Sequence, residues 1–317
     1  MTTLVTGAGL VGTSFARHAL KRGEDVVFFD PEPRESFLRF KLGDRGYSFV
    51  RKDVRDLPAL IEAIQSSKAT TVVHSAGLIG GRVQQSLGLA FDINVGGTRN
   101  VAEAVRLTGV KRLVHISTFG VYDTRREAKG PITEDFPRGA GRGYGNYKGA
   151  KELVLEAYQQ QYKFELLMLR PANVYGFGHF FAGSSGGMKM QALLQAGVDG
   201  GKAKIPLAET MANEYVYADD MGRAADLAAT VALPKQTIFN IGNGYVSPFV
   251  DVVKTVKEIA PALDYEIEAG DPPNSKAFPL DISAAKKHLG WEPKFSLRAG
   301  FEDFLGELQR ARAAGLL

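Results

Sequence analysis

Three glycines near the start of the chain constrain its fold more than any other feature of the sequence. Gly7, Gly9 and Gly12 follow an apolar run, residues 3–6, that is typical of a β-strand, and they open a helical pattern over residues 11–22. In a strand–loop–helix unit the first glycine permits a tight turn, the second lets backbone approach a pyrophosphate, and the third allows close packing. The helix N-terminus adds free N–H groups and partial positive charge. This context predicts a dinucleotide-binding loop.

Short β-rich runs alternate with longer helical patterns through the first half of the chain. The predicted strands are residues 3–6, 25–30, 47–51, 71–74, 112–117 and 165–170, and the predicted helices are 11–22, 57–66, 90–108 and 144–162. Nearly all-apolar strands that alternate with helices indicate a parallel sheet covered on both faces. Right-handed crossovers then give an α/β fold with a Rossmann-like, doubly wound parallel sheet.

Composition excludes several classes of function. The chain has 317 residues, a net charge of +4 and no cysteine, so disulfides, thiolate nucleophiles and Cys-ligated zinc are excluded, and we predict no metal site. Its basic residues are scattered, which argues against nucleic acid, and no apolar run approaches the roughly 18 residues of a membrane span. Because a strand begins at Thr3, we expect no signal peptide and a cytoplasmic protein.

An acidic residue at the end of the second predicted strand bears on the choice of dinucleotide. Asp30 lies 18 positions beyond Gly12, where its carboxylate can accept both ribose hydroxyls and would repel a 2′-phosphate. This favours NAD as the cofactor. Arg34 lies nearby and keeps NADP open.

Two further strand ends are candidates for cofactor contacts. Asp53 and Val54 follow the third strand, where a carboxylate can meet the adenine amino group, although aspartate is also a common turn or cap residue. Ala76 and Gly77 follow the fourth strand, and small residues there let a cofactor lie against the sheet edge. The neighbouring His74 is expected to be a packed structural residue.

Tyr144 and Lys148 supply the residue types of a proton-transfer site. They are four residues apart, so on a helix they are neighbours on one face. An ammonium beside a phenol favours phenolate and is expected to lower the pKa of the tyrosine toward neutrality, as a general base requires. Ser117 and Thr118, at the end of the fifth strand, offer a hydroxyl that can hold the oxygen of a substrate.

These motifs, taken in order, resemble the extended short-chain dehydrogenase/reductases, the NAD-dependent epimerase/dehydratase family. The resemblance covers nearly the whole chain and rests on Thr6-Gly7-Ala8-Gly9-Leu10-Val11-Gly12, Asp53-Val54, His74-Ser75-Ala76, Asn94-Val95-Gly96-Gly97-Thr98, His115-Ile116-Ser117-Thr118, Val121-Tyr122, Tyr144 with Lys148, Arg170-Pro171-Ala172-Asn173-Val174-Tyr175-Gly176 and Leu289-Gly290-Trp291-Glu292-Pro293.

The resemblance implies roles for individual residues. Tyr144 is then the acid/base, Lys148 its partner and Thr118, rather than Ser117, the ligand of the substrate oxygen. Tyr144 and Lys148 are also expected to contact the cofactor, and the remaining expected cofactor contacts are Leu10, Val11, Asn94, Ser117 and Pro171. The expected substrate contacts are Leu78, Thr118, Phe119, Asn173 and His179.

The resemblance also implies a smaller, C-terminal substrate-binding domain and a homodimer. We assign residues 1–173 and 213–241 to the NAD-binding domain, and 174–212 and 242–317 to the substrate-binding domain. The helices over residues 90–108 and 144–162 are those through which the family pairs.

Departures from the family pattern bear on the substrate. Dehydratases of the family carry an Asp-Glu pair where this chain has Phe119-Gly120, so water elimination is not expected. Nucleotide-sugar members carry an arginine at the position of Asn213 and another in the stretch that reads Glu268-Ala269-Gly270-Asp271 here, and these arginines clamp the diphosphate. Because charge-assisted phosphate contacts are hard to replace with neutral groups, their loss points to a substrate without a diphosphate.

Two segments near the site are lid candidates. Residues 123–143 are Gly-rich and basic, which would suit an anionic substrate, although a solvated loop fits equally well. Residues 176–190 are also predicted to form a loop.

The leading hypothesis is an NAD-dependent dehydrogenase acting on a secondary alcohol of a small sugar, sugar acid or related hydroxy compound. The alternatives are a UDP-sugar 4-epimerase and, from another class, a non-catalytic NAD(P)-sensing protein.

Overall fold

The computed structural model describes residues 1–139, 141, 143–178, 184–273 and 277–317. Its strands are β1 (Thr2–Thr6), β2 (Asp25–Phe29), β3 (Tyr47–Val50), β4 (Thr71–His74), β5 (Arg112–Ile116), β6 (Glu165–Pro171), β7 (Asn173–Tyr175), β8 (Lys202–Pro206), β9 (Tyr215–Tyr217), β10 (Ile238–Ile241) and β11 (Asp264–Glu268). Its helices are α1 (Leu10–Lys21), α2 (Glu35–Leu42), α3 (Leu57–Ser67), α4 (Gly81–Gln85), α5 (Leu87–Phe91), α6 (Gly97–Thr108), α7 (Gly143–Tyr162), α8 (Ser185–Asp199), α9 (Ala218–Thr230), α10 (Phe249–Ile259), α11 (Ser283–Leu289) and α12 (Leu297–Ala313).

Within these described residues, seven strands form one sheet in the order β10-β6-β5-β4-β1-β2-β3, and all neighbouring strands are parallel. The chain starts at β1, builds outward through β2 and β3, and returns to β4 on the other side of β1. The carboxyl ends of β1 and β4 therefore flank the crevice where such sheets bind ligands. The predicted doubly wound parallel sheet is confirmed.

Alternating side chains explain why helices cover both faces of the sheet. Neighbouring residues Leu4 and Val5 of β1 point to opposite faces and are both fully buried. Val5 shares a core with Phe15 of α1 and with residues of α9. Leu4 shares another with Leu60 of α3 and with residues of α6 and α7. The helix α7, which carries the predicted catalytic pair, is thus packed directly onto the sheet.

A smaller unit is built on a third core. Apolar residues of α8, α10 and α12 pack there with β7, β8 and β9. The strands pair as β7–β9 and β8–β11, both parallel. Trp291, between α11 and α12, instead lies in the core of the main sheet, and its indole N–H donates to the carbonyl of Asp220 at 3.0 Å. The predicted assignment of residues to the two domains stays a prediction.

The structure departs from the predicted elements in two places near the site. The loop predicted over residues 176–190 is wrong from Ser185 onward, because α8 begins there. The Ser184 hydroxyl caps that helix by accepting from the N–H of Gly187, in a run whose glycines concealed the start from sequence reasoning. The helix predicted over residues 90–108 is interrupted by a π-helical turn, Asp92–Gly96.

None of the helices that the structure describes combines the length and apolar character that a bilayer crossing requires.

Candidate active site

The glycine loop between β1 and α1 is crowded on one side and open on the other. Gly7 has a φ of +88°, and a Cβ there would lie 3.0 Å from the backbone nitrogen of Ala76. A Cβ on Gly12 would lie 2.1 Å from the carbonyl oxygen of Gly7. A Cβ on Gly9, which precedes α1, would meet no atom within 4 Å. The loop is therefore open at the N-terminus of α1, where unpaired N–H groups favour phosphate.

Asp30 follows β2 and is tied to this loop. One of its carboxylate oxygens accepts from the N–H of Ala8 at 2.8 Å, and the other accepts from the N–H of Glu32 at 2.8 Å. Leu10 and Val11 form the first turn of α1 beside Ala8. Because each carboxylate oxygen has two lone pairs, Asp30 can still accept ribose hydroxyls while it holds the loop.

Asp53 and Val54 lie between β3 and α3, where each has a local role. Arg55 donates to the two carboxylate oxygens of Asp53 at 2.9 and 3.0 Å and lowers the pKa of that carboxyl. Asn100 of α6 donates to the carbonyl of Val54 at 3.1 Å. The cap of α3 is Asp56 rather than Asp53. A contact of Asp53 with adenine stays a prediction.

Ala76, Gly77 and Leu78 follow β4 and are held in place by Asn94. Its side chain accepts from the N–H of Leu78 at 2.7 Å and donates to the carbonyl of Leu78 at 3.1 Å. Gly77 has a φ of +155°, and a Cβ there would lie 2.6 Å from Oδ1 of Asn94. Asn94 therefore holds the predicted cofactor segment in place, and a residue larger than glycine at position 77 would clash with it.

His74 is a buried, neutral member of a hydrogen-bond chain. The Thr98 hydroxyl donates to the carbonyl of Asn94 at 2.6 Å, so it must accept from Nε2 of His74 at 2.9 Å. Nδ1 then accepts from the Thr6 hydroxyl at 2.7 Å. Burial, and next the charge of Lys151, hold the pKa of His74 well below its usual value. The structure gives this residue the structural role expected from the sequence.

The three predicted catalytic side chains meet between α7 and the end of β5. Lys148 lies one turn after Tyr144, with its Nζ 5.9 Å from the centre of the tyrosine ring and donating to the carbonyl of Ile116 at 2.7 Å. The Thr118 hydroxyl lies near enough to the phenol of Tyr144 to lower its pKa, and it accepts from the N–H of Gly120 at 3.1 Å. A substrate hydroxyl placed at the phenol would therefore also meet Thr118.

The prediction that Lys148 lowers the pKa of Tyr144 toward neutrality is wrong for this structure. Burial raises the pKa of Tyr144 to about 12, and the hydrogen bond with Thr118 offsets only part of that effect. Lys148 donates to the Ile116 carbonyl rather than to the phenol, and burial lowers its own pKa to about 8. With this pKa the phenol keeps its proton near neutral pH.

Sequence reasoning missed a buried charge cluster beneath these residues. The fully buried Glu152 accepts from the Ser117 hydroxyl at 2.5 Å and from Nε and Nη2 of Arg170 at 2.9 and 2.7 Å. Arg138 adds a contact at 3.1 Å. The sequence did contain a signal for this cluster: Glu152 lies one helical turn after Lys148, and Arg170 lies near the end of an apolar strand. Because Ser117 is engaged by Glu152, Thr118 is the hydroxyl left to meet a substrate.

The expected substrate side of the site is polar but has few charges. The amide of Asn173 donates to Oδ1 of Asn213 at 3.3 Å and to the carbonyl of Glu214 at 3.1 Å. Phe119 lines a small cavity of about 20 Å³ with Ala172, Asn213 and Glu214. No arginine lines this cavity among the described residues, in agreement with the Asn213 position in the sequence.

Three predicted site residues remain to be placed. Pro171 ends β6 and is buried beside β10, while Leu78 is partly exposed next to the cofactor segment. His179 lies outside the residues that the structure describes. The structure therefore gathers the predicted cofactor and catalytic positions at one end of the sheet and leaves His179 untested.

Three arginines of the basic segment over residues 123–143 form ion pairs with carboxylates of the same chain. Arg125 and Arg126 both pair with Asp123, and Arg138 pairs with Glu152 and Glu156. These pairs weaken the expectation that the segment attracts an anionic substrate.

Replacing Gly9 with alanine tests the open side of the loop. Since the added Cβ meets no protein atom, we expect Gly9→Ala to unfold at the wild-type temperature but to bind NAD at least about tenfold more weakly, because it blocks backbone approach to the pyrophosphate. Calorimetric titration with NAD measures this. Gly201→Ala, at an exposed glycine that is equally free of contacts, is the control. Wild-type affinity in Gly9→Ala would contradict the assignment.

Glu214 predicts a pH dependence of stability. Burial raises its pKa from 4.5 to about 7, although the N–H groups of Leu280 and Gly244 donate to it. The folded state then binds the proton more tightly than the unfolded state, so its contribution is present below pH 4.5 and is lost as the pH rises through about 7. This loss is on the order of 3 kcal/mol.

Urea unfolding across this pH range is the measurement. We expect Glu214→Gln to flatten the decline in the free energy of unfolding, and Glu266→Gln, at an exposed carboxylate, to leave it unchanged. Equal slopes in the wild type and Glu214→Gln would show that Glu214 titrates normally.

Comparisons of the sequence with known proteins identify the family to which the chain belongs. The model of the NAD dependent epimerase/dehydratase family matches residues 3–242. The UDP-glucose 4-epimerase of Mycolicibacterium smegmatis is 31% identical, with 95% of this chain and 96% of that protein covered. The corresponding enzyme of Bacillus subtilis is 28% identical, with 94% of each chain covered.

Solved structures give the same result. The UDP-glucose 4-epimerase of Thermotoga maritima, solved with UDP-glucose, has a TM-score of 0.85 at 25% identity and covers 98% of this chain and 100% of its own. That of Thermus thermophilus, solved with NAD, has a TM-score of 0.84 at 27% identity with the same coverage. The chain belongs to the NAD-dependent epimerase/dehydratase family of extended short-chain dehydrogenase/reductases, and it is an enzyme that uses NAD.

Proposed function

We propose that this enzyme is a 4-epimerase of a UDP-sugar. The observation that carries the proposal is the grouping of Thr118, Tyr144 and Lys148 at the same end of the sheet as the glycine loop. Relatives of the chain over almost its full length include UDP-glucose 4-epimerases. These relatives favour the epimerase over the dehydrogenase that the sequence put first.

The chemistry assigns one task to each side chain. Tyr144, as a phenolate, takes the proton of the C4 hydroxyl while that carbon loses hydride and becomes a ketone. Thr118 donates a hydrogen bond to the same oxygen. The ammonium of Lys148, which the Ile116 carbonyl holds 5.9 Å from the centre of the ring, favours the phenolate through its charge rather than through a hydrogen bond. NAD, when bound, supplies the hydride acceptor and then the hydride donor. When the ketone regains hydride on its other face, Tyr144 returns the proton and C4 is inverted.

A second candidate is oxidation of a secondary alcohol in a small sugar or sugar acid without a diphosphate. The neutral pair Asn173–Asn213 favours it, since Asn213 stands where nucleotide-sugar members carry a diphosphate-binding arginine. An amide can read sugar hydroxyls but supplies no charge for phosphate.

A substrate panel separates the two candidates. Purified enzyme is incubated with NAD and either UDP-glucose, UDP-glucuronic acid, free sugars or sugar acids, while NADH is followed optically and products by NMR. The proposal predicts interconversion of C4 epimers of a UDP-sugar without net NADH. Steady NADH formation with an unphosphorylated compound, and no reaction of UDP-sugars, would replace it with the dehydrogenase.

Replacing Tyr144 with phenylalanine tests the acid/base assignment under either candidate. Because only the phenolic proton carrier is removed, we expect kcat to fall by about 10²–10⁴-fold while the Kd for NAD changes little. The matched control is Tyr147→Phe, whose hydroxyl donates to the carbonyl of Leu87 on another side of α7. Wild-type turnover in Tyr144→Phe would exclude the phenol as the acid/base.

We also propose that the enzyme is a cytoplasmic homodimer. Leu87 and Phe91 of α5 and Leu153 of α7 are 54%, 51% and 56% exposed, although they are apolar. Exposed apolar side chains on these two helices favour association of two copies. Sedimentation of the purified enzyme as a monomer at micromolar concentration would exclude the dimer.

A further inference from the structure

Lys151 is a buried basic residue that the proposed chemistry does not use. It lies three residues after Lys148 on α7, is fully buried, and donates from Nζ to the carbonyl of Ala76 at 3.0 Å. Ala76 begins the segment after β4 that the fold places at the cofactor crevice. A Cβ on Gly77 would lie 3.4 Å from the same Nζ. Lys151 is thus in direct contact with the backbone of this segment.

The fold gains little from a lysine at this position. Burial, and next the charge of Lys148, lower the pKa of Lys151 well below its usual value. In the part of the chain that the structure describes, no carboxylate forms an ion pair with it, and Glu152 turns instead to Ser117 and Arg170. A buried amine with a single carbonyl partner is costly compared with an apolar side chain of the same shape.

The contact of Lys151 complements that of Asn94. Asn94 fixes the N–H and carbonyl of Leu78, while Lys151 fixes the carbonyl two residues earlier. Gly77 lies between these anchors with a φ of +155°. A glycine in that conformation is free to rotate unless its neighbours are held, so the two side chains together determine which backbone groups the segment presents to the crevice.

We infer that Lys151 is a positioning residue for NAD, which sets the orientation of the Ala76–Gly77 peptide through its bond to the Ala76 carbonyl. A neutral amine makes this bond as an ammonium does, since both carry N–H donors. The inference goes beyond the proposed function, because it concerns only the cofactor and holds for an epimerase or a dehydrogenase. It also explains why a position that would be more stable with an apolar residue carries a lysine.

The test is Lys151→Met, which keeps the length of the side chain and removes its donor. We expect the Kd for NAD, from calorimetric titration, to rise roughly tenfold, as the loss of one hydrogen bond of about 1.4 kcal/mol implies. The urea midpoint should stay equal to the wild type or rise. In the absence of NAD, the amides of Gly77 and Leu78 should exchange with solvent faster than in the wild type.

Control variants separate positioning from other effects. Lys254→Met makes the same change at an exposed lysine of α10 and should leave NAD affinity unchanged. Lys151→Gln retains a shorter donor and should bind NAD with intermediate affinity; it also serves if the methionine variant does not fold. Unchanged NAD affinity in a folded variant would overturn the inference. A fall in the free energy of unfolding as large as the loss in binding free energy for NAD would also overturn the inference, because Lys151 would then stabilise the fold as a whole rather than the cofactor segment.

Discussion

The ion pair between Glu152 and Arg170 fixes the catalytic helix to the sheet. Both side chains are almost completely buried, and their contacts at 2.7 and 2.9 Å join the middle of α7 to the end of β6. The Ser117 hydroxyl on the same carboxylate adds the end of β5. Removing one partner of a buried pair typically costs about 3–5 kcal/mol, because the other charge is left uncompensated. The relation between Tyr144 and Thr118 therefore depends on this pair.

Desolvation governs the chemistry that this arrangement supports. Burial raises the pKa of Tyr144 to about 12 and lowers that of Lys148 to about 8, so near neutral pH the phenol keeps its proton while the amine is still mostly ammonium. The Ile116 carbonyl holds Lys148, so the charge of Lys148 acts on the phenol from a distance and not through a hydrogen bond. Positive charge close to the ring, as an oxidised nicotinamide would supply, would lower the pKa of Tyr144 toward the range that acid/base action needs.

Local patterns predicted much of this architecture. The glycine loop, Asp30 and the Tyr144–Lys148 spacing depend on residues near in sequence or on the ends of adjacent strands, so the doubly wound sheet and the grouping of the catalytic residues could be read from the chain. Glu152 with Arg170, and Lys151 with Ala76, join elements far apart in sequence, and nothing local marks them as partners. The pKa of Tyr144 was mispredicted because helical spacing gives proximity but not the direction of a lysine side chain or the degree of burial.

Two observations bear on the identity of the substrate and point in different directions. Relatives that are UDP-glucose 4-epimerases favour a nucleotide sugar, while Asn213 offers an amide where an arginine would bind phosphate. The most direct measurement uses UDP-glucose carrying deuterium at C4. The epimerase account predicts UDP-galactose that retains deuterium at C4 in ordinary water, because the same hydride leaves and returns. Loss of the deuterium to solvent or to released reduced cofactor would contradict it.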